Sequence, residues 1–433
     1  MKKFKYFKPN FSFFLINTLF VNIAIYLFQF YFKKDQVDYF LCTNIRNYNF
    51  SIFSKNIELI YPHSCDIQAY QDGVVNFLSF LKIEEYVYQG RPLFVFYIYI
   101  FYLISKLFFG GFLQTLPLIK LSFFLGQLVL TSVISLTIYK ILRLLDVNVR
   151  NNYFFIPAII SMSPMFKWHI YESTSMTFTF LIFIYGLLIT LENKNKNITF
   201  INIGLLFLVH RSAIVIFVFF VLYNNFKNRK FSLYLNKFVL VAIPISIFYF
   251  LVLVFGDFSD HNAEGYRQFV WLFDYFGGKQ ALSGGYFCQT PKAALICYSK
   301  DFFSLLKYLA APSLFVLTFL ILKFKSFSSN TRSLLIAAFA FSCLINFFWL
   351  FIGWYPPIRF SYYGFGNLIC FLLIFLLNNF QERAARIIYM MAITSYFLFL
   401  NHWNSPEIIS YTSYIKVSFF LFIASFALES SKK

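Results

Sequence analysis

The chain has 433 residues, 59% of them hydrophobic, 24% aromatic and only 13% charged, with a mean hydropathy of +0.66. A water-soluble fold of this length could not bury so much apolar surface, which excludes a soluble enzyme and indicates an all-α integral membrane protein. The formal net charge of +19 comes from short basic clusters of the kind that gather in cytoplasmic loops, so nucleic acid is not an expected partner.

The N-terminal MKKFKYFK carries four lysines and is expected on the cytoplasmic side. The first helix is expected over 11–32, too long for a cleavable leader and without a small-residue cleavage site. The stretch 92–109 is long enough to cross a bilayer. If it did, Lys140, Arg143 and Arg150 would lie outside, so an amphipathic or re-entrant helix on the outer surface fits the charges better. The first extracytoplasmic loop, with juxtamembrane helices, then covers 33–116. Helices follow at 117–143, 152–169 and 173–191.

The apolar run 198–225 has His210-Arg211 at its centre, and a charge at mid-bilayer is expensive unless it faces a cavity. Two short helices, 198–209 and 212–225, forming a hairpin at that pair would return Lys227, Arg229, Lys230 and Lys237 to the cytoplasmic side. A rival arrangement, in which 92–109 spans and 198–225 crosses once, stays open. Further helices are expected at 235–256, 303–324, 332–353, 361–379, 384–401 and 409–428, with a second extracytoplasmic loop at 257–302. The sum is about twelve membrane helices in one domain, 1–433, multi-pass, with both termini cytoplasmic.

Of six cysteines, Cys42 and Cys65 fall in the first outer loop and Cys288 and Cys297 in the second, while Cys343 and Cys370 lie within helices. That distribution suits an oxidising exterior and predicts disulfides Cys42–Cys65 and Cys288–Cys297. The intervals are not those of a zinc site.

The chemistry-bearing residues concentrate in 65–111. Asp66 and Asp72 come shortly before the apolar helix, where a lipid headgroup would lie. A carboxylate there can take a proton from an acceptor hydroxyl or hold a divalent cation on a phosphate, and in a plain solvated loop it does neither. Glu172, after Lys167, Trp168 and His169 at an outer boundary, is either a second acid on the same pocket or part of an interfacial belt. Arg211 with His210 is the strongest anomaly, because a guanidinium holds a phosphate bidentately. Arg359 and Arg91 are further candidates for that phosphate. Asp257, Asp260, His261 and Glu264 in the second loop lack strict metal-ligand spacing and read as a solvated loop. The chain has no Walker motif, GxGxxG or nucleophile elbow.

In this order the residues resemble the GT-C superfamily of multi-spanning glycosyltransferases that use polyprenyl-phosphate-linked sugars. Asp66-Ile-Gln-Ala-Tyr70 is similar to the acid-x-x-x-Tyr element after the family's first helix. Gly90-Arg91-Pro92-Leu93 with Phe109-Gly110 resembles the end of its first outer loop. Tyr171-Glu172-Ser-Thr-Ser-Met176 resembles its acidic turn, and His210-Arg211-Ser212-Ala213 its turn between short helices, with His and Ser in place of the usual Thr and Pro. The resemblance covers 1–230. It implies Asp66, with Asp72 as the alternative, acting on the acceptor, Glu172 as second acid, and phosphate contacts from Arg211 and Arg359. It also implies a polyprenyl-phosphate-sugar donor, a bacterial plasma-membrane location and a lipid, glycan or protein acceptor; a divalent cation is left open. A lipid-glycan flippase or transporter using Arg211 as counter-ion, a glycan polymerase and a structural membrane subunit are the rival readings.

Overall fold

The computed structural model describes residues 9–27, 43–52, 55–64, 67–77, 91–145, 151–163, 166, 175–192, 196–228, 235–255, 320, 324–352, 364 and 366–379. Among them, three helices are long and apolar enough to cross a membrane: Pro92–Phe109, Thr115–Leu144 and Ser175–Glu192. Shorter apolar helices accompany them, and the chain is a helical membrane protein by class. The helices expected at 303–324, 384–401 and 409–428 and the second outer loop lie wholly or largely outside the described residues.

Helix α1 (Phe11–Tyr26) starts where the Asn10 side chain accepts the Phe13 amide at 2.9 Å, a conventional N-cap. The first loop holds an element that its sequence did not announce. Strands β1 (Thr43–Ile52) and β2 (Lys55–Ser64) pair antiparallel, from Ile52↔Lys55 at the turn to Thr43↔Ser64 at the open end. Helix α2 (Ile67–Val75) follows shortly after.

Helix α3 (Pro92–Phe109) begins with Pro at its first position, where the missing N–H is not needed. It packs on α4 (Thr115–Leu144) through Gly126: a Cβ there would meet Ile98 Cδ1 at 2.9 Å, and the Tyr97 hydroxyl donates to the Gly126 carbonyl at 2.6 Å. Ser105 then meets Ser122, Oγ to Oγ 3.4 Å. A Cβ at Gly126 would also meet Phe101 Cδ2 at 3.6 Å, and four residues separate Phe101 from Ser105 as four separate Gly126 from Ser122, so α3 runs antiparallel to the first half of α4. Helix α3 is not amphipathic, as one version of the expectation had it: Phe96, Ile100, Leu103, Ile104 and Leu107 are exposed on the side away from the protein.

Helices α5 (Phe155–Met162), preceded by a 3₁₀ turn Asn151–Phe154, and α6 (Phe178–Glu192), preceded by a 3₁₀ turn Ser175–Thr177, continue the bundle. Tyr97, held on Gly126, also packs on Phe178 at 5.3 Å, and further along Lys140 and Glu192 form an ion pair at 2.6 Å, so α4 and α6 run parallel. Thr18 and Ser132 (Oγ1 to Oγ, 3.4 Å) and the rings of Phe14 and Tyr139 (6.2 Å) set α1 antiparallel to α4.

Helices α7 (Asn197–Val209) and α8 (Ile214–Asn228) fold back on each other. Phe200 and Phe220 lie equally far before and after His210, yet their ring centroids are 5.5 Å apart. A straight continuation would separate them by about 30 Å. Helix α9 (Leu235–Phe255) then runs parallel to α7: Lys237 Nζ donates to Asn197 Oδ1 at 2.6 Å at one end, and Phe248 packs on Leu208 at the other. Helices α10 (Ser329–Ile352) and α11 (Asn367–Asn379) close the described bundle, with Phe341 stacked on Phe183 and Phe219, and Asn367 Nδ2 donating to Thr179 Oγ1 at 3.2 Å.

Candidate anion site at three helix N-termini

The tip of the α7–α8 hairpin is a single extended residue, His210, followed by a 3₁₀ turn Arg211–Ala213 that leads into α8. His210 is buried, with 1% of its surface exposed. Its Nδ1 accepts the Ser212 backbone N–H at 3.4 Å and lies 2.7 Å from Ser212 Oγ. A backbone N–H can only donate, so Nδ1 is an acceptor and the ring proton sits on Nε2, facing the Met176 sulfur at 3.4 Å. The residue belongs to the turn and not to a spanning helix. Burial, and then the positive charges of Arg91 and Arg211, hold this imidazole well below its ordinary pKa, so it is neutral. His210 thus caps the turn and ties it to the start of α6.

Arg91 stands at the N-cap of α3. Its Nη1 donates to the Tyr70 hydroxyl. Tyr70 is buried and stacks edge-on against Phe94 at 5.2 Å, and Phe94 against Phe178 at 5.9 Å. Consequently the N-terminal ends of α3, α6 and α8 meet. Each such end carries the positive pole of its helix dipole, although the Phe94 and Val95 amides already donate to the Arg91 carbonyl and the Ser212 and Ala213 amides to His210. Two guanidinium groups, Arg91 and Arg211, add to it, and the imidazole of His210 stays uncharged. The arrangement suits an anion, above all one that a guanidinium can grip through two oxygens.

The acids divide differently. Asp72 is exposed on α2, while Tyr70 and Val74 are buried. Positions 70 and 72 are about 200° apart on a helix, so Asp72 faces away from Arg91. Asp66, Glu172, Arg359, Cys42, Cys65, Cys288 and Cys297 lie outside the described residues. Asp66 is the chain neighbour of Ile67, the first residue of α2, and Glu172 precedes Ser175 by three positions. Among the described residues no group of three or more His, Cys, Asp or Glu gathers to hold a metal ion.

Reading the sequence missed Lys120. It lies near the start of α4 and is 1% exposed. The signal was present: a lysine inside an apolar helix is a functional hypothesis by default. Tyr70 was noticed only as part of a motif, not as the partner of Arg91.

Comparison of the chain with protein-family profiles, characterised proteins and solved structures finds no match.

Proposed function

We propose that the protein is a multi-pass membrane glycosyltransferase of GT-C type that takes a sugar from a polyprenyl-phosphate donor at the extracytoplasmic face. The observation that carries this reading is the meeting of three helix N-termini with Arg91 and Arg211 at one end of an apolar bundle. An anionic group attached to a long hydrocarbon is the ligand that needs both features. The order of acidic and basic motifs along 1–230 supports the same class.

In this scheme Arg211 and Arg91 hold the donor phosphate, and His210 holds the turn. The acceptor hydroxyl attacks the anomeric carbon of the sugar. The bond from that carbon to the phosphate oxygen breaks, and its electron pair leaves with the phosphate, whose added charge the guanidiniums balance. The acceptor proton passes to a carboxylate. Asp66 is the choice for that role, because the motif order assigns it and Asp72 is turned away from Arg91. Glu172 is the second acid, and Arg359 a further phosphate contact. The acceptor is a lipid, glycan or protein, and both termini are cytoplasmic.

The test is lipid binding followed by transfer. The purified protein in nanodiscs should bind undecaprenyl phosphate. Arg211→Ala should weaken that binding by about tenfold or more, since a hydrogen bond to a charged group contributes about 1.5–3 kcal/mol. Asp66→Asn should bind normally and transfer no sugar. A protein that retains only ordinary phospholipids, even after excess polyprenyl phosphate is supplied, would sink the reading. Full function of Asp66→Asn in vivo would instead favour a carrier.

A further inference from the structure

Helix α11 belongs to the C-terminal half of the chain, far in sequence from Arg91 and Arg211, yet a run of contacts joins its first residue to the hairpin tip. Asn367 opens α11, and its Nδ2 donates to Thr179 Oγ1 on α6 at 3.2 Å. Thr179 Oγ1 in turn donates to the Met176 carbonyl at 2.7 Å. A hydroxyl has one proton to give and two lone pairs, so one oxygen serves both bonds. The Met176 sulfur faces the Nε2–H of His210 at 3.4 Å. On the other side of that ring, Nδ1 accepts the Ser212 amide and lies 2.7 Å from Ser212 Oγ. The His210 carbonyl accepts the Ala213 amide at 3.0 Å. Arg211 is the residue enclosed by this double cap, and every link back to α11 is a direct contact.

A threonine that bonds back to a carbonyl of the preceding turn is ordinary in helices and by itself means little. What sets Thr179 apart is the second bond, from an amide 188 residues away in sequence. Thr179 is fully buried and Asn367 is 3% exposed. Polar groups so deep in an apolar bundle cost free energy unless they are satisfied, and these two satisfy each other. Their bond also does what the surrounding rings cannot. Phe183 and Phe371 pack edge-on with centroids 6.3 Å apart. Thr179 to Phe183 and Asn367 to Phe371 are both steps of about one turn, so α6 and α11 run parallel. Apolar contact is non-directional, whereas a slip of one residue, about 1.5 Å, breaks a hydrogen bond. The polar pair therefore fixes the axial register of α6, and with it the place of Met176 against His210.

We infer that Thr179 and Asn367 are positioning residues for Arg211. Helix α11 sets the register of α6, Met176 holds the His210 ring, and the ring closes the turn that presents the guanidinium to the donor phosphate. The inference rests on the proposed function for the identity of that ligand, and it extends the site to the C-terminal half of the chain.

The test measures binding of undecaprenyl phosphate to the full chain in nanodiscs for the wild type, Thr179→Val, Arg211→Ala and the double variant. Thr179→Val deletes the hydroxyl and should weaken binding about threefold to tenfold. Thr179→Ser, which keeps a hydroxyl, should recover it, and Asn367→Leu should behave like Thr179→Val. In the Arg211→Ala background Thr179→Val should cost nothing further, because a residue that acts through Arg211 then has nothing left to position. Equal weakening in both backgrounds makes Thr179 a general packing residue and overturns the inference. Wild-type affinity in both Thr179→Val and Asn367→Leu overturns it too. If Thr179→Val does not fold, Met176→Leu, which deletes the sulfur at similar volume, enters the same cycle with the same expectations. A wild type that binds the lipid, with full affinity kept in Arg211→Ala, removes Arg211 from the site and overturns this inference. Failure of the wild type to bind the lipid overturns the proposed function as well.

Discussion

Gly204 offers a test of the fold that is independent of any activity. It sits mid-way along α7, and a Cβ built there would lie 2.2 Å from the Val241 carbonyl oxygen and 2.5 Å from Pro244 Cγ of α9. Ordinary contacts of this kind are about 1 Å longer or more, and a backbone oxygen cannot swing aside, so α7 and α9 would have to separate. Helix propensity alone favours Ala over Gly by about 1 kcal/mol. Overpacking of a tight contact costs about 1–3 kcal/mol, so the steric effect should win for Ala and more clearly for Val. Gly204→Ala and Gly204→Val are expected to lower the thermal midpoint of the detergent-purified protein progressively. Gly111→Ala serves as control, since a Cβ there meets nothing within 4 Å. A Gly204→Val protein that melts with the wild type would refute the parallel packing of α7 on α9, and with it the hairpin that delivers Arg211 to the site.

Three further outcomes are expected. Because the folded pKa of His210 is depressed, its stabilising neutral form is present above the ordinary value near 6.5 and is lost as pH falls from there towards the folded value. Stability should drop by about 1.4 kcal/mol per pH unit in that window, and melts of His210→Asn, which keeps an acceptor for Ser212 without titrating, should show a flatter slope. Tyr70→Phe removes the hydroxyl that accepts from Arg91; undecaprenyl phosphate binding should weaken several-fold while gel-filtration behaviour is unchanged, and unaltered binding would show that Arg91 needs no anchor. The closing pair Thr43↔Ser64 consists of the chain neighbours of Cys42 and Cys65, so peptide mapping without reductant should recover a 42–65 link and, separately, a 288–297 link. Free thiols or a crossed pairing would contradict this.

Much of the helical layout was legible because apolar length and basic termini are one-dimensional signals. Expected helices at 117–143 and 235–256 correspond to Thr115–Leu144 and Leu235–Phe255. The hairpin was legible for a different reason: a charged pair at the centre of an apolar run is tolerable only if the chain turns there. The β-hairpin was not read. Its alternation at Tyr48, Phe50 and Ile52 is interleaved with Asn47 and Asn49, residues depleted in strands, and pairing rather than propensity decides such segments. Nor did the sequence separate Asp66 from Asp72, since both precede the same apolar helix. Only the burial of Tyr70 and Val74 shows which side of α2 turns inward. The roles within His210-Arg211 were likewise invisible, because capping by His210 depends on Ser212 and on Met176, which lies in a distant part of the chain.

Helix α7 has 13 residues, about 20 Å of rise, whereas the hydrocarbon of a bilayer is about 30 Å thick. With the polar contact between Asn197 and Lys237 at one boundary, the hairpin tip stops about 10 Å short of the other. On that placement Arg211 stands below the headgroup level, and the donor phosphate of the proposed function would have to be drawn down to it while its tail stays in the hydrocarbon.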